Sequence, residues 1–193
     1  MILGVLGFLL LFVTGTLLLL ARDWRASIGL LGIQYLAMFL VVLMMWPFSV
    51  ALIKPMVGWM VAAVLSTSKA AQIDFSEDPL MPMGRIFRIT LAVLILIVVL
   101  SVAPRLNDLL PEINIWVMQC GLLAICLGLA HVGISTRPFR IILGLLTVLT
   151  GFEIMYAAVE VSFLVIGLLA VINMALSLAG VYFGLFLKDE EEA

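Results

Sequence analysis

Charged residues in this chain fall in clusters, and the gaps between the clusters are wide enough to cross a lipid bilayer. Residues 1–21 carry no charge, nor do 26–53, 55–68, 89–104, 113–136, 141–152 and 161–187. A helix needs about 20 apolar residues to cross a ~30 Å hydrocarbon core. On that scale the chain holds about seven transmembrane helices, over 2–20, 26–46, 48–66, 87–104, 114–134, 139–159 and 162–187. Only Trp46-Pro47 separates the second from the third, and proline breaks or kinks a helix there; a re-entrant pair is the alternative at that point. Of the 193 residues, 65% are hydrophobic and 11% charged, and mean hydropathy is +1.33. Soluble domains run nearer half apolar and a quarter charged, so a soluble enzyme is excluded. Ten Lys and Arg against twelve Asp and Glu leave −2, from which no basic face for a nucleic acid can be built. Nothing alternates as β-barrel strands do. The fold class is all-α, a polytopic transmembrane helix bundle in contact with the lipid bilayer. The first apolar stretch lacks a basic leader and a small-residue cleavage site, and reads as a retained helix.

Loop charge orients the bundle. With seven spans, one side receives Arg22, Arg25, Lys69, Arg85, Arg88, Arg137, Arg140 and Lys188, while the other has Arg105 and, within a span, Lys54. The positive-inside rule makes the first side cytoplasmic. The expected topology is N-out/C-in, in a bacterial or archaeal cytoplasmic membrane.

Two segments are alike. Arg22-Asp23-Trp24-Arg25-Ala26-Ser27-Ile28-Gly29-Leu30-Leu31 matches Arg137-Pro138-Phe139-Arg140-Ile141-Ile142-Leu143-Gly144-Leu145-Leu146, as R-x-[WF]-R-x-x-x-G-L-L at an offset of 115. Each copy follows one apolar span, opens a second and precedes a third. The pattern suggests a 3+1+3 internal repeat. Residues 1–66 form the first three-helix unit, 67–86 a cytoplasmic loop, 87–104 a linking helix, 105–187 the second unit and 188–193 an acidic, solvated tail. The linking span restores the orientation, so the units are expected to be parallel repeats related by an axis near the membrane normal. Taken singly, the arginines and aromatics of these corners are ordinary interfacial anchors.

Few residues can carry chemistry. Glu153 lies inside the sixth span, ~20 Å from its basic end at 1.5 Å per residue. An ionised carboxylate there costs ~2.5–3.5 kcal/mol on insertion scales, and such residues mark proton or ion paths. A hydrogen bond to a neighbouring helix is the plainer alternative. Glu160 lies almost two turns on, with Tyr156 between them and Thr150 further in, a stripe able to seat a short water chain. Glu160 near the boundary is equally readable as a solvated side chain. Lys54, followed by Pro55, is the one cation well inside a span. It can reach a glutamate across the repeat interface or snorkel to the outer surface. His131 has a titration range suited to an entry group, or is a core histidine, and lies ~15 Å in depth from Glu153. Gln34, Asn114, Gln119 and Asn173 are accounted for by interhelical hydrogen bonds, and Gly180-x-x-x-Gly184 is a packing signal. Cys120 and Cys126 do not share a helix face and pack as apolar residues. There is no Walker A, HExxH or CxxC pattern. No cofactor and no metal is implied.

The stretch 115–187 resembles the small three-helix K-type subunit of NADH:quinone oxidoreductase and its relative, the C subunit of Mrp-type cation/proton antiporters. A Leu- and Gly-rich N-out helix is followed by a short basic turn, Thr136-Arg137-Pro138-Phe139-Arg140. The next helix carries Gly151-Phe152-Glu153-Ile154-Met155-Tyr156-Ala157-Ala158-Val159-Glu160, where the family reads roughly G-x-E-x-M-x-N-A-x-N. The resemblance places Glu153 on the family's intramembrane proton-path glutamate and implies a large antiporter-like subunit as partner. Ala157 and Glu160 replace the family's asparagines. Its second glutamate is missing, Asn173 being the only comparable polar group on the last span. In the first copy Met38 aligns with Glu153.

Three functions follow as expectations. The leading one is a membrane subunit of a complex-I-like or Mrp-like assembly, non-catalytic itself, contributing to proton or cation translocation through Glu153, with Glu160, Tyr156, Lys54 and His131 along the path. The second is a structural or assembly subunit without a transport role. The third is a stand-alone transporter of a small solute.

Overall fold

The computed structural model describes residues 2–67 and 82–191, and all its regular structure is helical. The elements are α1 (Ile2–Leu20), α2 (Trp24–Val42), the short α3 (Phe48–Ala51), α4 (Ile53–Ser66), α5 (Pro82–Leu109), α6 (Ile115–Ile134), α7 (Pro138–Val159) and α8 (Phe163–Glu191). α3 and α4 together make one span, Phe48–Ser66, and among the described residues seven helices are long and apolar enough to cross a membrane. The chain is an integral, multi-pass membrane protein.

Four boundaries differ from those read in the sequence. The second span ends at Val42 rather than at 46. Residues 43–46 form a tight turn in which Met44 and Met45 N–H donate to Val41 and Val42 carbonyls, and Pro47 then caps α3. The third span is interrupted at Leu52. Pro55 has no N–H to return to the Ala51 carbonyl, which loosens the turn before it. The linking helix extends beyond 87–104 to Pro82–Leu109, so the last residues of the expected 67–86 loop are helical; Asp74, Glu77 and Asp78 lie outside the described residues. Residues 188–191 of the expected tail are helical too, because α8 runs unbroken to Glu191. Charge ends an apolar stretch but not a hydrogen-bonded backbone. At 1.5 Å per residue these two helices are ~42 Å long, enough to pass through the headgroup layers.

The helices form two rows. In the first, α2 packs between α1 and α4; in the second, α7 packs between α6 and α8. The rows stack like on like, α1 on α6, α2 on α7 and α4 on α8. Each stacked pair runs in the same direction. Gly4 abuts Trp116 and Gly15 abuts Leu127, Gln34 meets Thr147 and Trp46 meets Ala157, and Leu65 lies against Gly180. α5 lies along the edge shared by α1 and α6. Much of its surface is outward and apolar, including Ile86, Phe87, Val93, Leu94 and Ile97, as suits a lipid-facing helix.

The closest approach is between α6 and α7. Gly121 faces Gly151 and Gly128 faces Gly144, backbone to backbone. Both glycine pairs are spaced seven residues apart, so they recur on one face of each helix. Small residues let membrane helices approach until van der Waals contact and backbone dipoles hold them, there being no hydrophobic drive between helices in lipid. A Cβ on Gly128 would lie 2.6 Å from the Val148 nitrogen. Gly128→Leu should therefore force the two helices apart and destabilise the bundle by about 1–3 kcal/mol or more, the usual cost of overpacking. Gly29→Leu, at a position with open space around it, should leave stability nearly unchanged. Unfolding of the purified variants in mixed micelles checks both.

Candidate functional site

Four helices, two from each row, bring one polar cluster together in the bundle. The Lys54 ammonium (α4) donates to Glu153 Oε2 (α7) at 2.6 Å. Asn173 Nδ2 (α8) donates to the other carboxylate oxygen, Oε1, at 2.5 Å, and also to the Leu169 carbonyl at 3.0 Å. The Tyr35 hydroxyl (α2) donates to Asn173 Oδ1 at 2.6 Å. Relative exposure is 4% for Lys54, 2% for Glu153, and 1% for both Asn173 and Tyr35. Lys54 is thus turned inward onto the carboxylate and does not snorkel.

Local sequence explains how each side chain arrives. Lys54 is six residues into the span that begins at Phe48, and Glu153 is six residues from the end of α7. The two are therefore level, ~9 Å inside the same end of the bundle. Pro55 sets the turn that carries Lys54. Tyr35 crosses α4 where Gly58 has no side chain, its ring lying over the Gly58 backbone. Asn173 has a single consistent orientation. Both N–H groups are spent on acceptors and its oxygen accepts from Tyr35, so the amide presents donors to Glu153. An amide in this position holds the carboxylate and has no titratable proton to pass on.

Trp46 closes the cluster toward the α2–α3 turn. Its indole N–H donates to the Ala157 carbonyl at 3.0 Å, a group near the end of α7 where intrahelical donors run out. Its ring centroid lies 5.8 Å from Lys54 Nζ, within range of a cation–π attraction. Phe39 and Phe48 meet edge to face at 5.9 Å and brace the same turn. A cavity of about 10 Å³ remains beside the pair, lined by Tyr35, Ile53, Val57, Ile166, Ala170 and Asn173 as well as the two charges. That is about one water in size.

Of the residues singled out from the sequence, Lys54 and Glu153 meet. Glu160 and Tyr156 do not join them. α7 ends at Val159, and Glu160 has extended backbone, φ −151 and ψ 146, which carries it off the helical stripe into an exposed position. Tyr156 is half-buried and stacks on the exposed Phe152 at 6.4 Å. His131 is buried near the opposite end of α6, close to Arg140 and Arg88. From the glycine register of α6 and α7 it stands about 18 Å in depth from Glu153. Tyr35 is not among the residues the sequence singles out, and Asn173 makes the interhelical hydrogen bonds its sequence context implies. The signals were present: a tyrosine beside Gln34 inside an apolar helix, and one amide alone in a 27-residue uncharged stretch. Deeper along α7, Thr150 lies beside the Tyr35 phenol, and Thr147 donates to Gln34 Oε1 at 3.4 Å. Glu153, Thr150 and Thr147 thus line the inner face of one helix.

Fold and site together define a multi-pass helical membrane protein with a buried, hydrogen-bonded ion pair between its two helix rows. Comparison with protein-family models, with curated proteins and with solved structures returns no match.

Removing one partner of a buried ion pair leaves an uncompensated charge and typically costs 3–5 kcal/mol, whereas replacing both by apolar groups of similar volume is near neutral. Lys54→Met should therefore destabilise the protein by about 3–5 kcal/mol, and Lys54→Met/Glu153→Met should recover most of that loss. A double-mutant cycle on unfolding in mixed micelles measures it; additive effects would mean that the two side chains do not interact.

Proposed function

We propose that this chain is a membrane subunit of a complex-I-like or Mrp-antiporter-like assembly and that Glu153 contributes to its proton or cation translocation. The observation that carries this reading is the Lys54–Glu153 pair, two opposite charges buried among apolar helices with one carboxylate oxygen left to a neutral donor. Apolar side chains of the same volume would hold the bundle as well, so the pair is better explained by a change of charge state than by stability. While Glu153 is ionised it holds Lys54. When a hydronium ion gives its proton to Glu153 Oε2, its own O–H bond breaking to leave water, the attraction is lost and Lys54 is released toward the Trp46 ring and the small cavity. Asn173, held by Tyr35, keeps the carboxyl group in place in both states. The resemblance of 115–187 to the K-type and Mrp C subunits points the same way and supplies the expected partner, a large antiporter-like subunit.

One observation favours a second reading, a structural or assembly subunit. Both oxygens of Glu153 and every polar atom of Asn173 are already satisfied within the chain, as in a clamp between helices. A stand-alone solute transporter is disfavoured by the one-water size of the cavity. The discriminating experiment follows acidification by energised membrane vesicles containing the whole assembly. Glu153→Gln, which keeps the size and the Asn173 contact, should lower proton or cation translocation at least tenfold while the assembly stays intact. Glu160→Gln should leave it unchanged. Full translocation in Glu153→Gln would leave the clamp reading in its place.

A further inference from the structure

The two copies of the R-x-[WF]-R-x-x-x-G-L-L pattern meet different fates in the fold. In the second, Phe139 and Arg140 are buried, and Gly144 is pressed against Val132 and the Gly128 backbone of α6. In the first, Arg22 and Arg25 are exposed and Trp24 is half-buried, and nothing lies within 4 Å of where a Gly29 Cβ would be. The cause lies in the preceding helix. α6 offers Gly128 to Gly144, but α1 offers no glycine to Gly29. α1 and α2 approach closely where Gly7 meets Val41 and the Ala37 carbonyl, whereas Gly29, near the arginines, is left uncovered. Between the two helices opens an apolar groove of about 440 Å³ lined by Leu17, Leu20, Ala21, Ala26, Gly29 and Ile33, among others.

We infer that this groove is a binding site for an anionic phospholipid, an acyl chain lying over Gly29 and the phosphate meeting the Arg22 and Arg25 guanidinium groups. The groove lies within a membrane-spanning helix pair, so a hydrocarbon chain is the occupant its surroundings supply. The charge at its mouth decides which lipid. Ala21 and Ala26 line the groove, and their sequence neighbours are Arg22 and Arg25. Arg25 extends over the Trp24 ring at 5.2 Å. A third guanidinium reaches the same end, since Arg88 Nη1 donates to the Leu19 carbonyl at 2.7 Å. Asp23 lies beside them, its backbone carbonyl accepting from the Ser27 N–H and hydroxyl at the start of α2. Basic pockets between helix ends are where anionic headgroups settle. The site is separate from the Lys54–Glu153 cluster and does not depend on any transport role.

The test is native mass spectrometry of the purified protein mixed with equal amounts of palmitoyl-oleoyl phosphatidylglycerol and phosphatidylcholine. Retained lipid should favour phosphatidylglycerol, and each of Arg22→Gln and Arg25→Gln should reduce that preference about fivefold. Ala26→Leu/Gly29→Leu, which fills the groove, should lower retention of both lipids, with helix content by circular dichroism unchanged. Equal retention of the two lipids by the parent protein would overturn the inference. So would an intact preference in Arg22→Gln/Arg25→Gln, or undiminished retention in the filled-groove variant.

Discussion

The arrangement of this protein depends on the cost of a charge in hydrocarbon. Neither Lys54 nor Glu153 is tolerable alone at its depth, because each would lose its hydration with nothing in exchange. Together, and with Asn173 on the second carboxylate oxygen, they are satisfied. The pair joins residues 99 positions apart in sequence and joins helices from opposite rows. It therefore helps fix how the rows stack. α4 has to present Lys54 at the level of Glu153, α8 has to bring Asn173 alongside, and α2 has to pass its tyrosine over Gly58 to reach Asn173. Trp46 adds a hydrogen bond from the α2–α3 turn to the end of α7. Each contact involves a different helix, so the cluster is where four elements are referenced to one another.

Around that point the packing is uneven. α6 and α7 touch backbone to backbone through two pairs of glycines, while α1 and α2 meet at Gly7 and leave Gly29 uncovered. Glycine on the facing helix, Gly128 opposite Gly144, accounts for the difference at the repeated pattern. The same short pattern thus yields a closed helix pair in one row and an open, arginine-rimmed groove in the other. The outward surfaces of α5 and of α1 are almost wholly apolar, as lipid contact requires.

Much of the fold could be read from the sequence because a bilayer makes charge spacing a ruler. Seven spans emerged in the right places, and the ends of the first, fifth and sixth to within a residue, while the end of the second and the reach of the linking and last helices did not. Helical hydrogen bonding continues past Arg85, Arg105 and Lys188 as long as each residue has a partner, whereas Met44 and Met45 turn back although they are apolar. The site was partly legible. Glu153 and Lys54 stand out as charges in apolar runs, and helical geometry put them at similar depth. The same geometry misplaced Glu160. Seven residues after Glu153 it would share its face on a continuous helix, but α7 stops one residue short of it. Tyr35 gave no charge signal, and its role depends on Gly58 being bare on the next span.

By itself, the sequence determined that the chain lives in a membrane, that it crosses about seven times, and which few side chains are too polar to face lipid. Those are consequences of transfer free energy, which is summed residue by residue along the chain. The tertiary structure alone decided which polar residue answers which: Lys54 with Glu153 rather than with water, Asn173 held by Tyr35, and Arg140 buried where Arg25 is not. These depend on how closely two helices can approach, and that is set by the side chain, or its absence, on the opposite helix.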